Sequence, residues 1–374
     1  MTEHEAYVAF NMVPDIGSVK VAALVRKQGS VVAAWEAFDP KTDWEGKPVD
    51  WQAEIARAKR MHVTIITCDD RRYPASLNDL PSKPLALYVA GNPDVLALPG
   101  VAVVGTRLPT LYGTDMAERF SIGIVKGGLS VISGLATGID TEAHRGALAA
   151  NGVTIGVLGG ALDKFFPEEN RELGRRIVAA GGAVVSEYPF GFPPGKTTFP
   201  QRNRIVAALA RGVLAVEAPA QSGTLITCAL ARKIGRTVMA LPANLDSKSS
   251  FGCWRLIREG ATMVTSADEV VEKLGVERNG VKGAERGVNV GDSSRDHQSS
   301  TRTPAPSHQH KPSTPSLTLD EAAVLRAIPS TGITLDRLSF RTKRSAAVVG
   351  AATMSLRLKK LIRFLPGNRV APAS

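Results

Sequence analysis

Two arginines, Arg202 and Arg204, stand directly before the apolar run at residues 205–209. The pattern predicts a helix over residues 204–210 with both guanidinium groups at its N-terminus. Cations at that end oppose the helix macrodipole at a cost of roughly 0.3–1 kcal/mol, so their presence calls for a functional reason. A planar guanidinium beside exposed backbone N–H groups would hold a phosphate. A structural salt bridge to Glu187 or Glu217 is the alternative.

Three turns rich in glycine and hydroxyl side chains follow apolar runs of the kind that form buried strands. They are Gly105-Thr106-Arg107, Ser133-Gly134-Leu135-Ala136-Thr137-Gly138 and Gln221-Ser222-Gly223-Thr224. A turn of this kind before a helix presents backbone N–H groups to a phosphate. The helix after the second turn is expected to open at Asp140. Tight glycine packing is the alternative for the second turn, and plain helix capping is the alternative for the third.

Aromatic side chains lie among these cations. The sequence has 11 Phe, 5 Tyr and 4 Trp, yet six of these rings fall between positions 165 and 199, interleaved with Lys164, Lys196 and the arginine pair: Phe165, Phe166, Tyr188, Phe190, Phe192 and Phe199. Rings beside cations suit an unpaired nucleic acid, because bases stack on the rings while cations follow the backbone. Core packing is the alternative for each ring taken alone.

Signals for catalysis and for metal binding are weaker. Asp140 and His144 lie one helical turn apart, but no G-x-S-x-G nucleophile elbow accompanies them, which favours a buried structural hydrogen bond. The sequence has no Walker A loop, no H-E-x-x-H and no G-x-G-x-x-G. Cys68, Cys228 and Cys253 lie far apart, which favours small buried hydrophobes over disulfides or a zinc ribbon. We therefore expect no catalytic residue, no metal and no cofactor.

The candidate residues need a scaffold that brings their turns together. Seven short apolar runs, bounded by Gly, Pro or Ser, predict strands at residues 101–104, 129–132, 154–158, 183–185, 213–216, 237–241 and 261–264. Helix-like stretches accompany them at residues 114–126, 140–150, 168–180, 204–210, 225–234, 251–258 and 268–274. Strands that are apolar throughout are covered on both faces, which is typical of a parallel, doubly wound α/β sheet. Such sheets bind ligands at the carboxyl ends of their strands.

The pattern changes on either side of this sheet. Residues 7–38 predict two or three short helices around a turn at 13–17, so residues 1–65 are expected to form a small all-helical domain before a core at 66–277. Residues 278–316 have few large apolar side chains and many Ser, Pro, Gly and His, which predicts a disordered linker. In residues 317–374, helical segments at 318–328, 335–341 and 345–361 precede a hairpin at 363–370, which is a winged-helix pattern.

The charge distribution points to a polyanionic partner. The formal net charge is +11, and residues 317–374 carry +7 of it. A solvated basic surface is the alternative for this tail. No apolar run approaches the roughly 18 residues that a membrane span needs, and the first residues are acidic where a secretory signal is basic. We expect a cytoplasmic protein without membrane contact.

The motifs together closely resemble the DNA-processing protein A family (DprA, also called Smf), from about residue 6 to residue 370. The likeness is carried by Tyr73-Pro74, Leu87-Tyr88-Val89-Ala90-Gly91, Val104-Gly105-Thr106-Arg107, Ser133-Gly134-Leu135-Ala136, Gly138-Ile139-Asp140, Ala143-His144, Phe199-Pro200-Gln201-Arg202-Asn203-Arg204, Val216-Glu217-Ala218 and Ser222-Gly223-Thr224-Leu225. The resemblance implies an α/β fold with an extended Rossmann-like, mostly parallel sheet as its core. It also implies a sterile-alpha-motif-like or helix-hairpin-helix N-terminal region and a C-terminal winged-helix module.

The resemblance also implies a function. Members bind and protect single-stranded DNA, form homodimers, load the recombinase RecA onto incoming DNA during natural transformation, and help displace single-strand-binding protein. By matching motifs, the DNA site would contain Gly105, Thr106, Arg107, Arg202, Asn203, Arg204, Ser222 and Gly223. The patterns above add Ser133, Gly134, Lys164, Phe165, Phe199 and Thr224 to the candidate site. The combined change Arg202→Ala and Arg204→Ala is expected to remove most affinity for single strands without changing thermal stability.

Two other functions remain open from the residues. One is a nucleotide-hydrolysing Rossmann enzyme of the phosphoribohydrolase type, although the signature P-G-G-x-G-T-x-x-E of that family is missing here. A nucleoside-monophosphate hydrolysis assay would separate it from a DNA binder. The other is a transcription factor that uses its winged helix, which predicts a preference for duplex DNA.

Overall fold

The computed structural model describes residues 1–275, 317–329, 333–342, 344–359, 361–365 and 369–372. The contacts divide the chain into two compact units, of which the first contains residues 1–275 and the second contains the described residues from 317 onward. The expected linker at residues 278–316 lies outside the described residues.

A nine-stranded sheet forms the centre of the first unit. Its strands, numbered β1 to β9 in chain order, are Val63–Thr67, Ala86–Gly91, Gly100–Val104, Ser130–Ser133, Thr154–Val157, Ala183–Ser186, Gly212–Ala215, Thr237–Ala240 and Thr262–Met263. Their order across the sheet is β1-β2-β6-β5-β4-β3-β7-β8-β9. The strands from β3 to β9 pair in parallel, whereas β2 pairs antiparallel with both β1 and β6. The mixed, mostly parallel sheet confirms the predicted fold class.

The seven predicted strands correspond to β3–β9, each within two residues. The hydrophobic pattern did not predict β1 and β2 as strands of the sheet. Since β1 spans Val63–Thr67 and pairs along its whole length with β2, the expected domain boundary between residues 65 and 66 falls inside a strand. The N-terminal helices and the sheet therefore share one compact unit.

Eleven helices of the first unit surround the sheet. Numbered α1 to α11, they are Glu3–Met12, Ser18–Gln28, Val31–Ala37, Trp51–Arg60, Leu111–Lys126, Ile139–Ala149, Arg171–Ala179, Thr198–Leu209, Gly223–Lys233, Phe251–Arg258 and Ala267–Lys273. Short 3-10 helices occur at Ala75–Asp79, Pro93–Ala97, Glu168–Asn170 and Lys248–Ser250. Helices α5, α6 and α11 share one apolar cluster with the sheet, while α8, α9 and α10 share another. The two clusters give the covered faces that the apolar strands predict.

Helix α8 begins earlier than the sequence pattern predicts. It starts at Thr198 rather than at Arg204, so Arg202 lies in its second turn. Pro200 lies in the first turn of α8, where proline is tolerated because its missing N–H would have no intrahelical partner. The two arginines consequently do not stand at the helix N-terminus, and the argument from an opposed macrodipole is wrong.

Helices α1–α3 form their own apolar cluster on one side of the sheet. The Phe10 ring packs edge-on against Trp35 at 5.1 Å and against Phe38 at 5.5 Å. The first helix also contacts the sheet, because Val8 belongs to a cluster with Val63 and Tyr88 of β1 and β2. The predicted turn at residues 13–17 connects α1 to α2.

The described residues of the second unit form three helices and a small sheet. Helices α12–α14 span Leu319–Ala327, Leu335–Thr342 and Ala346–Leu358, and strands β10–β12 span Ile333–Thr334, Ile362–Leu365 and Arg369–Pro372. Strand β12 pairs antiparallel with both β10 and β11. Val324, Leu338, Val349 and Leu356 are fully buried between the helices. This arrangement is the predicted winged-helix module.

Candidate functional site

A groove of about 480 Å³ lies at the carboxyl ends of β3, β4 and β7. The helix after β3 packs on one face of the sheet and the helix before β7 packs on the other, so the groove marks a topological switch point. Ten candidate residues line it: Gly105, Thr106, Arg107, Gly134, Phe199, Arg202, Asn203, Ser222, Gly223 and Thr224. The fold therefore brings together turns that are more than one hundred residues apart in the sequence.

The turn after β3 carries an exposed cation that lines the groove. The Thr106 N–H donates to the carbonyl oxygen of Glu217 at 2.8 Å, which ties this turn to the end of β7. Arg107 then projects into solvent, with its guanidinium carbon 5.2 Å from the centre of the Phe199 ring. A cation over an aromatic face is attracted by the ring quadrupole, so Phe199 orients Arg107 while leaving its N–H donors accessible.

Phe166 extends this surface. Its ring centre lies 5.8 Å from that of Phe199, and the residue is 47% exposed. A second compartment of about 200 Å³ adjoins the groove. Phe166 and Glu169 line it, and it shares Arg107, Phe199 and Arg202 with the groove. The candidate site predicted from the sequence contained Phe165 rather than Phe166, but the Phe165 ring packs against a buried apolar cluster that includes Leu173 of α7, and the Arg171 guanidinium lies over it. Phe165 and Phe166 are adjacent in the sequence, and the sequence pattern does not show which of the two rings is exposed. Sequence reasoning therefore had no signal that favoured Phe166.

Arg202 reaches the groove from a buried position. Only 5% of the residue is exposed, and its Nη1 donates to the carbonyl oxygens of Gly134 and Val157. These carbonyls belong to the ends of β4 and β5, so Arg202 holds two strand ends to α8. Burial lowers its pKa, which the nearby Asp140 carboxylate partly offsets. Its positive charge lies at the floor of the groove, and its Nη1 is already occupied by the two carbonyl oxygens.

Arg204 points elsewhere. Residues two apart on a helix project about 200° apart, so Arg202 and Arg204 cannot face the same ligand. Arg204 forms a salt bridge with Glu187, and 20% of the Arg204 side chain is exposed. The structural salt bridge that was the alternative for this residue is therefore present. Glu217, the other candidate partner, accepts hydrogen bonds from Thr110 instead.

The turn at residues 133–138 is organised by Asp140. One carboxylate oxygen accepts the N–H groups of Gly134 at 3.1 Å and Ala136 at 3.3 Å. These N–H groups were expected to face a phosphate, but Asp140 already occupies them. The Ser133 hydroxyl is fully buried and donates to the Val103 carbonyl at 2.7 Å, so Ser133 does not face the groove.

His144 is a structural residue. It is fully buried, and its Nδ1 lies 2.7 Å from the Thr154 hydroxyl. Burial lowers its pKa to about 3, so the imidazole is neutral at physiological pH. Burial also raises the pKa of Asp140. The buried hydrogen-bonded interpretation of these two residues therefore agrees with their geometry.

The third turn caps α9 at the edge of the groove. The Ser222 hydroxyl accepts the Thr224 N–H at 3.1 Å, so Ser222 and Thr224 make a helix cap. Gly223 is the first residue of the helix, and the first N–H groups of a helix have no intrahelical acceptor. A Cβ atom added to Gly223 would meet no heavy atom within 4 Å. Its backbone is therefore open to a ligand.

Of the two lysines near the aromatic cluster, Lys196 lines the groove and Lys164 does not. Lys196 lines the groove and is exposed, although only its position near the aromatic cluster drew attention to it in the sequence. Lys164 is exposed and does not line the groove. The wall thus has three cations, Arg107, Lys196 and Arg202, and Asp140 as its carboxylate, which the 133–138 turn already uses.

Cysteines and acidic groups give no indication of a metal site. Cys228 and Cys253 are buried, and burial raises the pKa of both thiols to about 12. Cys68 is only partly buried. Among the described residues, no cluster of three His, Cys, Asp or Glu side chains is arranged to hold a metal ion. None of the described helices is long and apolar enough to cross a membrane.

Two family models match the chain. The model described as DNA recombination-mediator protein A matches residues 64–275, and the DprA winged helix domain matches residues 308–368. Protein Smf of Synechocystis sp. is 36% identical over 314 residues, which cover 81% of this chain and 79% of that protein.

Two solved structures are similar to this one. The X-ray structure of DNA processing protein A from Streptococcus pneumoniae has a TM-score of 0.62 at 32% identity and covers 74% of this chain and 99% of that one. The Helicobacter pylori protein, whose structure was described for its single-stranded DNA binding mode, has a TM-score of 0.51 at 30% identity. That match covers 57% of this chain and 96% of the other.

Proposed function

This chain belongs to the DNA-processing protein A family, and from that premise we propose that its groove binds single-stranded DNA. The observation that carries the proposal is the exposed Arg107 guanidinium stacked on the Phe199 ring. A stacked arginine offers N–H donors to a phosphate while its ring partner offers a face to a base. Proteins that bind single strands without sequence preference combine these two features.

The shape of the groove favours an extended ligand over an isolated phosphate. Its two compartments are joined along Arg107 and Phe199, and Phe166 adds a second exposed ring at the far end. Lys196 and the open N–H end of α9 flank the first compartment. Cations and rings that alternate along a track suit a strand whose phosphates and bases alternate in the same way.

Further parts of the proposal rest on family membership. We propose that the protein works as a homodimer in the cytoplasm, protects incoming single strands, loads the recombinase RecA onto them and helps displace single-strand-binding protein. Of the candidate site residues, the proposal keeps Gly105, Thr106, Arg107, Gly134, Phe199, Arg202, Asn203, Ser222, Gly223 and Thr224, which line the groove. It adds Lys196 and Phe166 and omits Ser133, Lys164, Phe165 and Arg204.

The proposal assigns no reaction to the groove. Asp140 and His144 were the acid–base candidates, and both are engaged in holding the turn at residues 133–138 and helix α6. The phosphoribohydrolase alternative lacks the signature P-G-G-x-G-T-x-x-E in this sequence, and Ser222 of the turn at residues 221–224 caps α9. A DNA binder needs only the cations, rings and open backbone that line the groove.

Fluorescence anisotropy with labelled oligothymidine across a salt series tests the proposal. The logarithm of the affinity should fall with the logarithm of salt concentration by about 0.7 for each phosphate neutralised. Unlabelled duplex of the same length should compete at least tenfold more weakly than unlabelled single strand. Salt-independent binding, or equal competition by duplex, would overturn the proposal. The same samples should release no base from nucleoside monophosphates.

A further inference from the structure

The two most exposed large apolar side chains in residues 1–275 follow directly on a cation of the groove. Leu111 is 91% exposed and Leu108 is 87% exposed. Leu108 comes immediately after Arg107, and Leu111 is the first residue of α5. A single exposed leucine is common on a protein surface. Two of them within four residues, next to a binding groove, indicate a contact with a ligand.

Residues 106–111, which we call the rim loop, are held in place near both ends. The Thr106 N–H donates to the Glu217 carbonyl oxygen at 2.8 Å, and the Thr106 hydroxyl accepts the Leu108 N–H at 3.2 Å. Thr110 donates its N–H at 2.8 Å and its hydroxyl at 3.0 Å to the Glu217 carboxylate. Because the loop is already ordered, a ligand that contacts its leucines loses less conformational entropy than one that must first order a free loop.

The rim loop is continuous with the groove. Arg107 belongs to the loop, lines both compartments and lies over the Phe199 ring. Consecutive Cα atoms are about 3.8 Å apart, so Leu108 starts next to this cation. Helix α9 adds Ile226, which lines the groove and is 45% exposed. Exposed apolar side chains therefore accompany the cations of the groove.

Leucine side chains discriminate between the two parts of a nucleic acid. A leucine that packs against the flat face of a base removes apolar surface from water, which is favourable. A leucine that packs against a phosphate removes water from a charge and returns no hydrogen bond, which is unfavourable. Unpaired strands can turn unstacked bases toward a protein, whereas the faces of bases in a duplex are covered by their neighbours.

We propose that Leu108 and Leu111 make the groove select single strands over duplex DNA. They pack against bases of a strand whose phosphates are held by Arg107 and the other cations of the groove, and a duplex offers them only its backbone. The basic neighbour Arg107 favours a nucleic acid over an apolar protein surface as the ligand of these leucines. The inference rests on the proposed function, since it names the residues that give the groove its preference.

Anisotropy measurements on Leu108→Ser combined with Leu111→Ser test the inference in the full chain. Both side chains are exposed, so the melting temperature should not change. The affinity for oligothymidine should fall about fivefold because apolar contacts with bases are lost. The affinity for a duplex of the same length should not fall, and the salt slope for oligothymidine should stay the same because no phosphate contact is removed. An unchanged ratio of single-strand to duplex affinity would overturn the proposal.

An abasic oligonucleotide of the same length separates contacts with bases from contacts with the backbone. It keeps the phosphates and sugars, so the serine variant and the unmodified protein should bind it equally. If the serine variant loses as much affinity for the abasic strand as for oligothymidine, the leucines do not contact bases and the assignment is wrong. Val19→Ser combined with Leu98→Ser is the matched control, because both residues are exposed and neither lines the groove. It should keep all three affinities.

Leu108→Met combined with Leu111→Met is the conservative variant. Methionine keeps apolar surface at both positions, so this protein should keep the preference for single strands that the serine variant loses. An equal loss in the methionine and serine variants would contradict a role for apolar contact. If oligothymidine fails to bind the unmodified protein, the proposed function and this inference both fail. Binding by the unmodified protein together with an unchanged preference in the serine variant overturns this inference alone.

Discussion

Two arginines that are two positions apart have different roles in this fold. Arg202 is buried and fixes the ends of β4 and β5, while Arg204 pairs with Glu187 away from the groove. The sequence alone singled out the segment that contains them, because guanidinium groups beside an apolar helix are unusual. It could not assign their directions, since those depend on where α8 begins. An exposed arginine of the groove, Arg107, comes from another loop.

Arg202→Ala should destabilise the protein, contrary to the expectation of unchanged thermal stability. Removing the guanidinium leaves the buried carbonyls of Gly134 and Val157 without their donor, at about 1–3 kcal/mol for each unsatisfied group. Calorimetry should show a lower melting temperature for the unit of residues 1–275. Arg107→Ala is the control, because its exposed side chain makes no ion pair among those residues and its loss should leave the melting temperature unchanged.

If Arg202→Ala and Arg107→Ala melt at the same temperature as the unmodified protein, Arg202 is not the structural residue described here. A loss of DNA binding by Arg202→Ala would then report direct contact with DNA rather than a disturbed groove.

At the scale of elements, the alternation of apolar runs and helices was sufficient to predict seven of the nine strands in the large sheet of the first unit. The pattern failed for β1 and β2 because no helix connects them and their pairing is antiparallel. A 3-10 helix at Ala75–Asp79 stands between them instead, so the βαβ signal is missing. The pattern also placed the start of α8 too late, because the apolar run begins at residue 205 whereas the helix begins at Thr198, with Pro200 in its first turn.

Two glycines at the edges of these elements should respond differently to alanine. Gly223→Ala adds a methyl group in open space at the start of α9, so stability should stay the same or rise by up to about 1 kcal/mol. The methyl group would project where a phosphate approaches the backbone, and oligothymidine affinity should fall about tenfold. Gly134→Ala places its Cβ 2.4 Å from Nη1 of Arg202, so it should lower both stability and affinity.

Denaturation curves and anisotropy on the same two proteins check this contrast. Gly223→Ala with unchanged affinity would show that the start of α9 does not approach DNA. Gly134→Ala with unchanged stability would show that the Arg202 guanidinium can move aside.

At the scale of the whole molecule, charge suggested the class of partner but not its location. The formal net charge is +11, and most of it lies in residues 317–374. The groove, by contrast, lies in residues 1–275 and uses only a few cations. Composition could not find it, because its wall is assembled from loops that only the sheet topology brings together. The resemblance to the family found the segments, and the fold selected which of their residues face the groove.

The account depends on the groove, and the salt dependence of single-strand binding tests it most directly. Oligothymidine anisotropy should be measured for Arg107→Ala combined with Lys196→Ala, and for a charge-matched control, Lys126→Ala combined with Arg258→Ala. The control residues are exposed and are the last residues of α5 and α10. Both lie at the amino ends of the strands, whereas the groove lies at the carboxyl ends. We predict that the groove variant loses at least tenfold in affinity and that its salt slope falls by about 0.7 for each phosphate contact removed, while the control keeps both. Equal affinities and slopes for the two variants would contradict the central claim.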